Sequence, residues 1–203
     1  MQVRLQQFAG YGGIVGGIAL AAAYLTHPAT ASPVIVASTA WIWIHVGFMV
    51  SLIAGVFLLF ALFALYLQKT PAVTGAIGFV LAVMSLVFVF GLDYSEVFIF
   101  PVLAVEFSEV VVRYGDGTSM PSVAFAFPVT GVAFLIGFVL FSYELMRTAT
   151  VSHRAALVTI VGTVVFAAGL SGFLPMFVVR SGSVVFGLGL ALMGLELSRT
   201  AAR

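Results

Sequence analysis

Six long stretches of this chain have no charged side chain through their middles, and that feature limits the possible folds more than any other. They cover residues 8–26, 38–67, 72–92, 123–143, 155–174 and 178–195. A hydrocarbon layer about 30 Å thick is crossed by a helix of about 20 apolar residues. In such a layer every backbone N–H and C=O must be satisfied within the segment, which selects the helix. The second stretch is long enough to tilt or to run past the interface. Composition agrees, since 63% of residues are hydrophobic and 7% are charged, where a soluble domain carries about 25% charged residues. Water-soluble folds are excluded, and so is disorder, which needs few apolar residues and many charges. The expected fold class is all-α: a polytopic six-transmembrane-helix bundle, with residues 1–203 forming one integral membrane domain.

The few charges are sorted by side. With the N-terminus inside, Arg4, Lys69, Arg147, Arg154, Arg199 and Arg203 lie on the inner side, and Arg113 and Arg180 on the outer. This positive-inside bias places both termini in the cytoplasm and the chain in the cell (plasma) membrane. Asp93, Glu96, Glu106, Glu109 and Asp116 fall outside, against Glu144 and Glu196 inside. Trp41 and Trp43 are expected at the outer interface, where indole rings collect. Arg4, the apolar run after it and Ala29-Thr30-Ala31 imitate a cleavable signal peptide; this reading keeps all six spans.

The outer connection, residues 93–122, is the one sizeable loop. It is expected to form an interfacial or re-entrant segment between the third and fourth spans. Residues 97–105 are apolar and interrupted by Pro101. Glu106, Glu109 and Arg113 then share one helical face, with a Glu109–Arg113 ion pair. Gly115-Asp116-Gly117 closes the segment as a turn. A β-hairpin through residues 110–114 is the lesser alternative.

Two further patterns concern packing. The inner ends of the even spans share Leu-x-Lys/Arg-Thr, at Leu67–Thr70, Leu145–Thr148 and Leu197–Thr200. Helix C-termini that favour a cation account for the pattern, and an ancestral hairpin repeat is the alternative. Gly12, Gly13, Gly16 and Gly17 form tandem GxxxG faces on the first span, and small residues recur on the fifth and sixth. Such faces let backbones approach in lipid, either within the chain or in a homo- or hetero-oligomer through the first helix.

Several chemistries are excluded. The chain has no cysteine, hence no thiolate metal site or cysteine nucleophile. It lacks a Lys/Arg-rich patch, so nucleic acid is not a partner. It also lacks a P-loop, a dinucleotide fingerprint and HExxH. The span middles carry hydroxyls such as Ser51, Ser85, Thr159 and Thr163 but no ionisable group, which disfavours proton-coupled transport. The reading therefore leans away from an enzyme, and no cofactor is required by the sequence.

What chemistry remains lies near the outer face. His45, Asp93, Glu96 and Arg180 are the candidate lining of a polar site for a lipid, a small quinone-like molecule or a cation. His45, Asp93, Glu96, Glu106 and Glu109 are a candidate metal set, because D/E-x-x-E pairs and an imidazole suit hard or borderline ions. His27 and His45 are candidate haem ligands. A binding- or transport-type membrane protein is the leading expectation. A non-catalytic subunit of a larger assembly comes next, and an outer-face metal or haem enzyme after it.

Overall fold

The computed structural model describes residues 2–115, 119–171 and 173–200. Asp116, Gly117 and Arg203, read above as part of the outer turn and the inner tail, lie outside the described residues. Among the described residues the chain is all-helical, without strands. The helices are α1 (Gln2–Thr26), α2 (Pro33–Val36), α3 (Thr39–Tyr66), α4 (Val73–Phe98), α5 (Phe100–Glu106), α6 (Ser108–Tyr114), α7 (Pro121–Arg147), α8 (His153–Leu170) and α9 (Met176–Thr200). Six of them, α1, α3, α4, α7, α8 and α9, are long and apolar enough to cross a membrane. They coincide with the six apolar stretches of the sequence.

The boundaries follow local chemistry. Ser38 starts α3 by accepting from the Trp41 N–H at 3.2 Å, and Ser152 starts α8 by accepting from the Ala155 N–H at 3.2 Å. Such caps satisfy N–H groups that the first turn leaves free. Helix α7 ends with Ala149 at φ 51°, while Thr150 N–H donates to the Leu145 carbonyl at 2.9 Å. That backward bond closes the carbonyls of the last turn. Pro128 lies inside α7 without ending it.

The spans form a closed ring. Each packs against its neighbour in sequence, and α1 completes the ring against α9. Glycine makes the tightest contacts. Gly10 lies against Gly194, and Gly17 against Gly187, so α1 and α9 touch backbone to backbone in antiparallel register. Gly162 and Gly182 do the same between α8 and α9, and Gly78 and Gly137 between α4 and α7. Gly13 faces Leu58 and Gly194, while Gly16 faces Ala54 and Ser51 on α3. The GxxxG faces are thus filled within the chain. Phe134, Phe138, Phe166 and Phe186 fill the interior, with ring centres 4.9–6.0 Å apart.

Apolar side chains also cover the outside. Only 22–44% of each span's most apolar window is buried, and residues such as Phe57, Phe60, Met84 and Phe88 stand exposed. A lipid bilayer is the environment that suits this surface, and the chain is a multi-pass membrane protein. Three hydroxyls deep in the spans are satisfied locally. Ser85, Thr159 and Thr163 donate to carbonyls of their own helices at 2.7–2.9 Å.

At one end of the ring, the Arg147 end, both acidic side chains are hydrogen-bonded. Glu144 is 4% exposed. Its carboxylate accepts from Arg147 Nε at 2.9 Å, Thr74 Oγ1 at 2.8 Å and the Tyr66 hydroxyl at 3.3 Å. Tyr66 also accepts from the Ala72 N–H at 2.6 Å, and Arg147 reaches the Thr70 carbonyl at 3.2 Å. Glu196 accepts from the Ser152 N–H at 2.8 Å and from the Ser152 hydroxyl. Glu144 on α7 thereby holds the start of α4, as Glu196 on α9 holds the start of α8. The residues beside the shared Leu-x-Lys/Arg-Thr pattern lock hairpins together.

Three expectations need correction at the other end, the His27 end. Helix α4 continues to Phe98, so Asp93 and Glu96 sit on its last turns instead of following it. The connection is two short helices broken at Phe107, at φ −140° and ψ 60°. Glu106 therefore does not share a helix with Glu109 and Arg113, and the hairpin alternative is absent. Arg113 stacks 5.1 Å from the centre of the Tyr114 ring and makes no ion pair with Glu109.

Two stability predictions follow from this packing. Gly17→Ala places a Cβ against the Gly187 backbone, whereas at Gly12 the nearest atom is 3.9 Å away. In detergent, thermal unfolding should show Gly17→Ala destabilised by about 1–3 kcal/mol and Gly12→Ala near wild type. Glu144→Leu leaves the Thr74 hydroxyl and Arg147 Nε without their acceptor, while Tyr66 keeps the Ala72 carbonyl at 2.9 Å, and should lose about 1–3 kcal/mol. Glu144→Gln keeps an acceptor and should lose less in the same melt.

Candidate functional site

The His27 end is built by the exits and entrances of four spans. His27 follows α1 directly, and Trp41, His45 and Phe48 lie at helical spacing on the first turns of α3. Asp93 and Glu96 sit on the last turns of α4, and Arg180 on the second turn of α9. Helices α2, α5 and α6 pack over this end. Val36, Ala104 and Val111 form a small apolar cluster with Trp41.

Trp41 stands at the centre and is 3% exposed, while Trp43 is 68% exposed. Trp41, expected at the outer interface, is instead covered by the cap, while Trp43 is exposed. The Trp41 ring lies 4.4 Å from His45 and 5.3 Å from His27, and the two imidazoles are 5.3 Å apart at 70°. Phe48 and Tyr24 continue the stack, with centres 4.5 Å apart.

Both histidines are held in one tautomer. His45 Nδ1 is 2.9 Å from the Trp41 carbonyl, and His27 Nδ1 is 2.7 Å from the Pro28 carbonyl. A carbonyl only accepts, so each Nδ1 carries the hydrogen and donates it. In the neutral rings each Nε2 keeps its lone pair, and among the described residues neither Nε2 has a hydrogen-bond partner.

The charged residues form two groups around Trp41. Arg180 Nη2 donates to the His27 carbonyl at 3.0 Å, placing a cation at the C-terminal end of α1, where the helix dipole favours it. Asp93 is 8% exposed and acts electrostatically on Glu96 and on the Tyr24 hydroxyl. The Glu96 carboxyl faces and interacts with the Trp41 indole N–H, but the pair does not reach full hydrogen-bond geometry. Trp41 Nε1, Glu96 Oε2 and Arg180 Nε are all buried without a partner. Each such atom costs about 1–3 kcal/mol when left unsatisfied.

The structure thus places His45, Asp93, Glu96 and Arg180 at one end, and adds His27, Trp41 and Tyr24. The spacing of Trp41 and His45 was a usable signal for Trp41, since i,i+4 residues share a helix face. Nothing in the sequence pointed to Tyr24. Glu106 and Glu109 are exposed on α5 and α6. Among the described residues no three His, Asp or Glu side chains converge to hold a metal ion, so the five-residue metal set is not assembled. A bis-histidine haem needs its macrocycle between the two imidazoles. The edge-to-face contact of His27 and His45 leaves no slot for one. Two shallow apolar grooves, of about 230 Å³ between α4 and α7 and about 210 Å³ between α1 and α3, lie away from this cluster.

Compared with protein-family models, curated proteins and solved structures, the chain matches none.

Burial, and to a smaller extent the Arg180 charge, hold the His27 imidazole below its ordinary value of 6.5, against the opposing pull of the Pro28 carbonyl. The folded state therefore favours neutral His27. The unfolded chain takes up the proton first as pH falls below about 6.5, so this contribution is complete above that pH and declines with acidification. Between pH 7 and 5 the wild type should lose more thermal stability than His27→Gln, as measured by melts across that range.

Proposed function

We propose that this chain is a binding- or transport-type membrane protein whose ligand site is the His27 end. The observation that carries this reading is the set of three buried, unpartnered polar atoms that α3, α4 and α9 bring to this one end. A ligand that accepts from Trp41 and Arg180 and donates to Glu96 would satisfy all three. A lipid headgroup or another small polar molecule has that chemistry, and Asp93 and His45 stand beside it. The positive-inside distribution supports a topology with the termini and the Arg147 end in the cytoplasm. The site would then open from the outer leaflet or the outer solution of the cell membrane.

The subunit alternative leaned on the α1 glycine face, which α9 and α3 fill within the chain. No specific observation now favours it. A proton-relay carrier is disfavoured because the span middles carry no ionisable group and Ser85, Thr159 and Thr163 donate within their own helices.

Native mass spectrometry of the protein extracted in mild detergent tests the proposal. A stoichiometric small-molecule adduct is expected on the wild type. It should fall at least tenfold in Glu96→Gln and in Arg180→Gln, with both variants still melting cooperatively. A wild type without adduct, or an adduct kept in both variants, removes the reading.

A further inference from the structure

We infer that His27 and His45 form a two-imidazole site for a borderline divalent transition-metal ion such as Zn²⁺, its remaining coordination positions open to an exogenous ligand. The inference deepens the ligand-binding reading of the same end, but it stands on different atoms from those that carry that reading.

The first support is the tautomer. A metal-ligating histidine almost always donates its other ring N–H to a carbonyl or carboxylate, which orients the ring and raises its basicity. Both imidazoles do this here, to the carbonyls of Trp41 and Pro28. Both therefore present an unprotonated Nε2 with no hydrogen-bond partner among the described residues, the atom and state that a metal requires.

Spacing is the second support. Two imidazoles on one tetrahedral ion, each with its nitrogen at about 2.0 Å, have ring centres about 5 Å apart. The observed separation is 5.3 Å. The trans arrangement of a haem would hold them farther apart, so the spacing that rejects the macrocycle suits a small ion.

Donor type is the third. With no cysteine in the chain and two neutral imidazoles as donors, borderline ions such as Zn²⁺ are favoured over Ca²⁺ or Mg²⁺, which prefer oxygen. Two protein ligands leave two tetrahedral positions open, where a closed structural site fills all four.

The experiment uses the full chain without a polyhistidine tag, stripped with EDTA in detergent and titrated with ZnCl₂ alone. Calorimetry and metal analysis after gel filtration should give one Zn²⁺ per chain. Binding should weaken at least tenfold in His27→Gln and in His45→Gln, and stay unchanged in His153→Gln, whose histidine is exposed at the start of α8. Should either variant fail to fold, Co²⁺ on the wild type replaces it, and an intense tetrahedral visible spectrum is expected. A Trp43→Phe background adds a local readout, because Trp41 is then the sole indole and lies 4.4 Å from His45. No retained Zn²⁺, binding indifferent to both histidines, or a weak octahedral Co²⁺ spectrum overturns the metal site. If the Glu96-dependent adduct persists when Zn²⁺ binding is absent, the metal inference alone fails. If Zn²⁺ binds as expected with no adduct, the broader small-molecule reading fails instead.

Discussion

Close approach of helix backbones is the constraint on which the rest of this structure depends. In lipid the hydrophobic effect does not push helices together, because the surroundings are as apolar as the side chains. Association rests on packing, and packing is densest where no side chain intervenes. Gly10, Gly13 and Gly17 on α1 meet Gly187 and Gly194 on α9, and that seam closes the ring. Closure carries Arg180, near the start of α9, to the end of α1, where it reaches the His27 carbonyl. The candidate site is thus a consequence of glycine registers many ångströms away from it.

The two ends of the ring differ in how far their polar groups are satisfied. At the Arg147 end, Glu144 takes three side-chain hydrogen bonds and Glu196 caps α8. Satisfied networks of this kind rigidify and specify a structure. At the His27 end, three buried polar atoms have no partner and two imidazoles offer free lone pairs. Native proteins leave few buried polar groups unmatched, and such groups call for an explanation. A ligand is the simplest source of the missing partners, whereas the paired end needs none.

Much of the fold was legible in the residues. All six long helices lie over the uncharged stretches, with boundaries that differ by up to six residues. Asp93 and Glu96 show where legibility stops. An apolar window ends at Leu92, but helix α4 continues to Phe98, since its backbone bonds persist after hydropathy falls. Trp41 shows the same limit. Tryptophan at a span end reads as interfacial, and only the packing of α2, α5 and α6 over it makes it a buried centre. Glu109 and Arg113 have favourable spacing, yet Arg113 finds the Tyr114 ring instead, because an exposed ion pair contributes little.

The sequence alone determined the number of spans, the all-α class and the sorting of charges between the two sides. These follow from transfer free energy, which each residue contributes largely by itself. Only the tertiary structure decided that His27 meets His45, that Glu96 faces Trp41, and that the α1 glycines face inward to α9. Those facts depend on which helix faces touch and in what register. That is a pairwise property of surfaces far apart in the chain, and one span read by itself does not contain it.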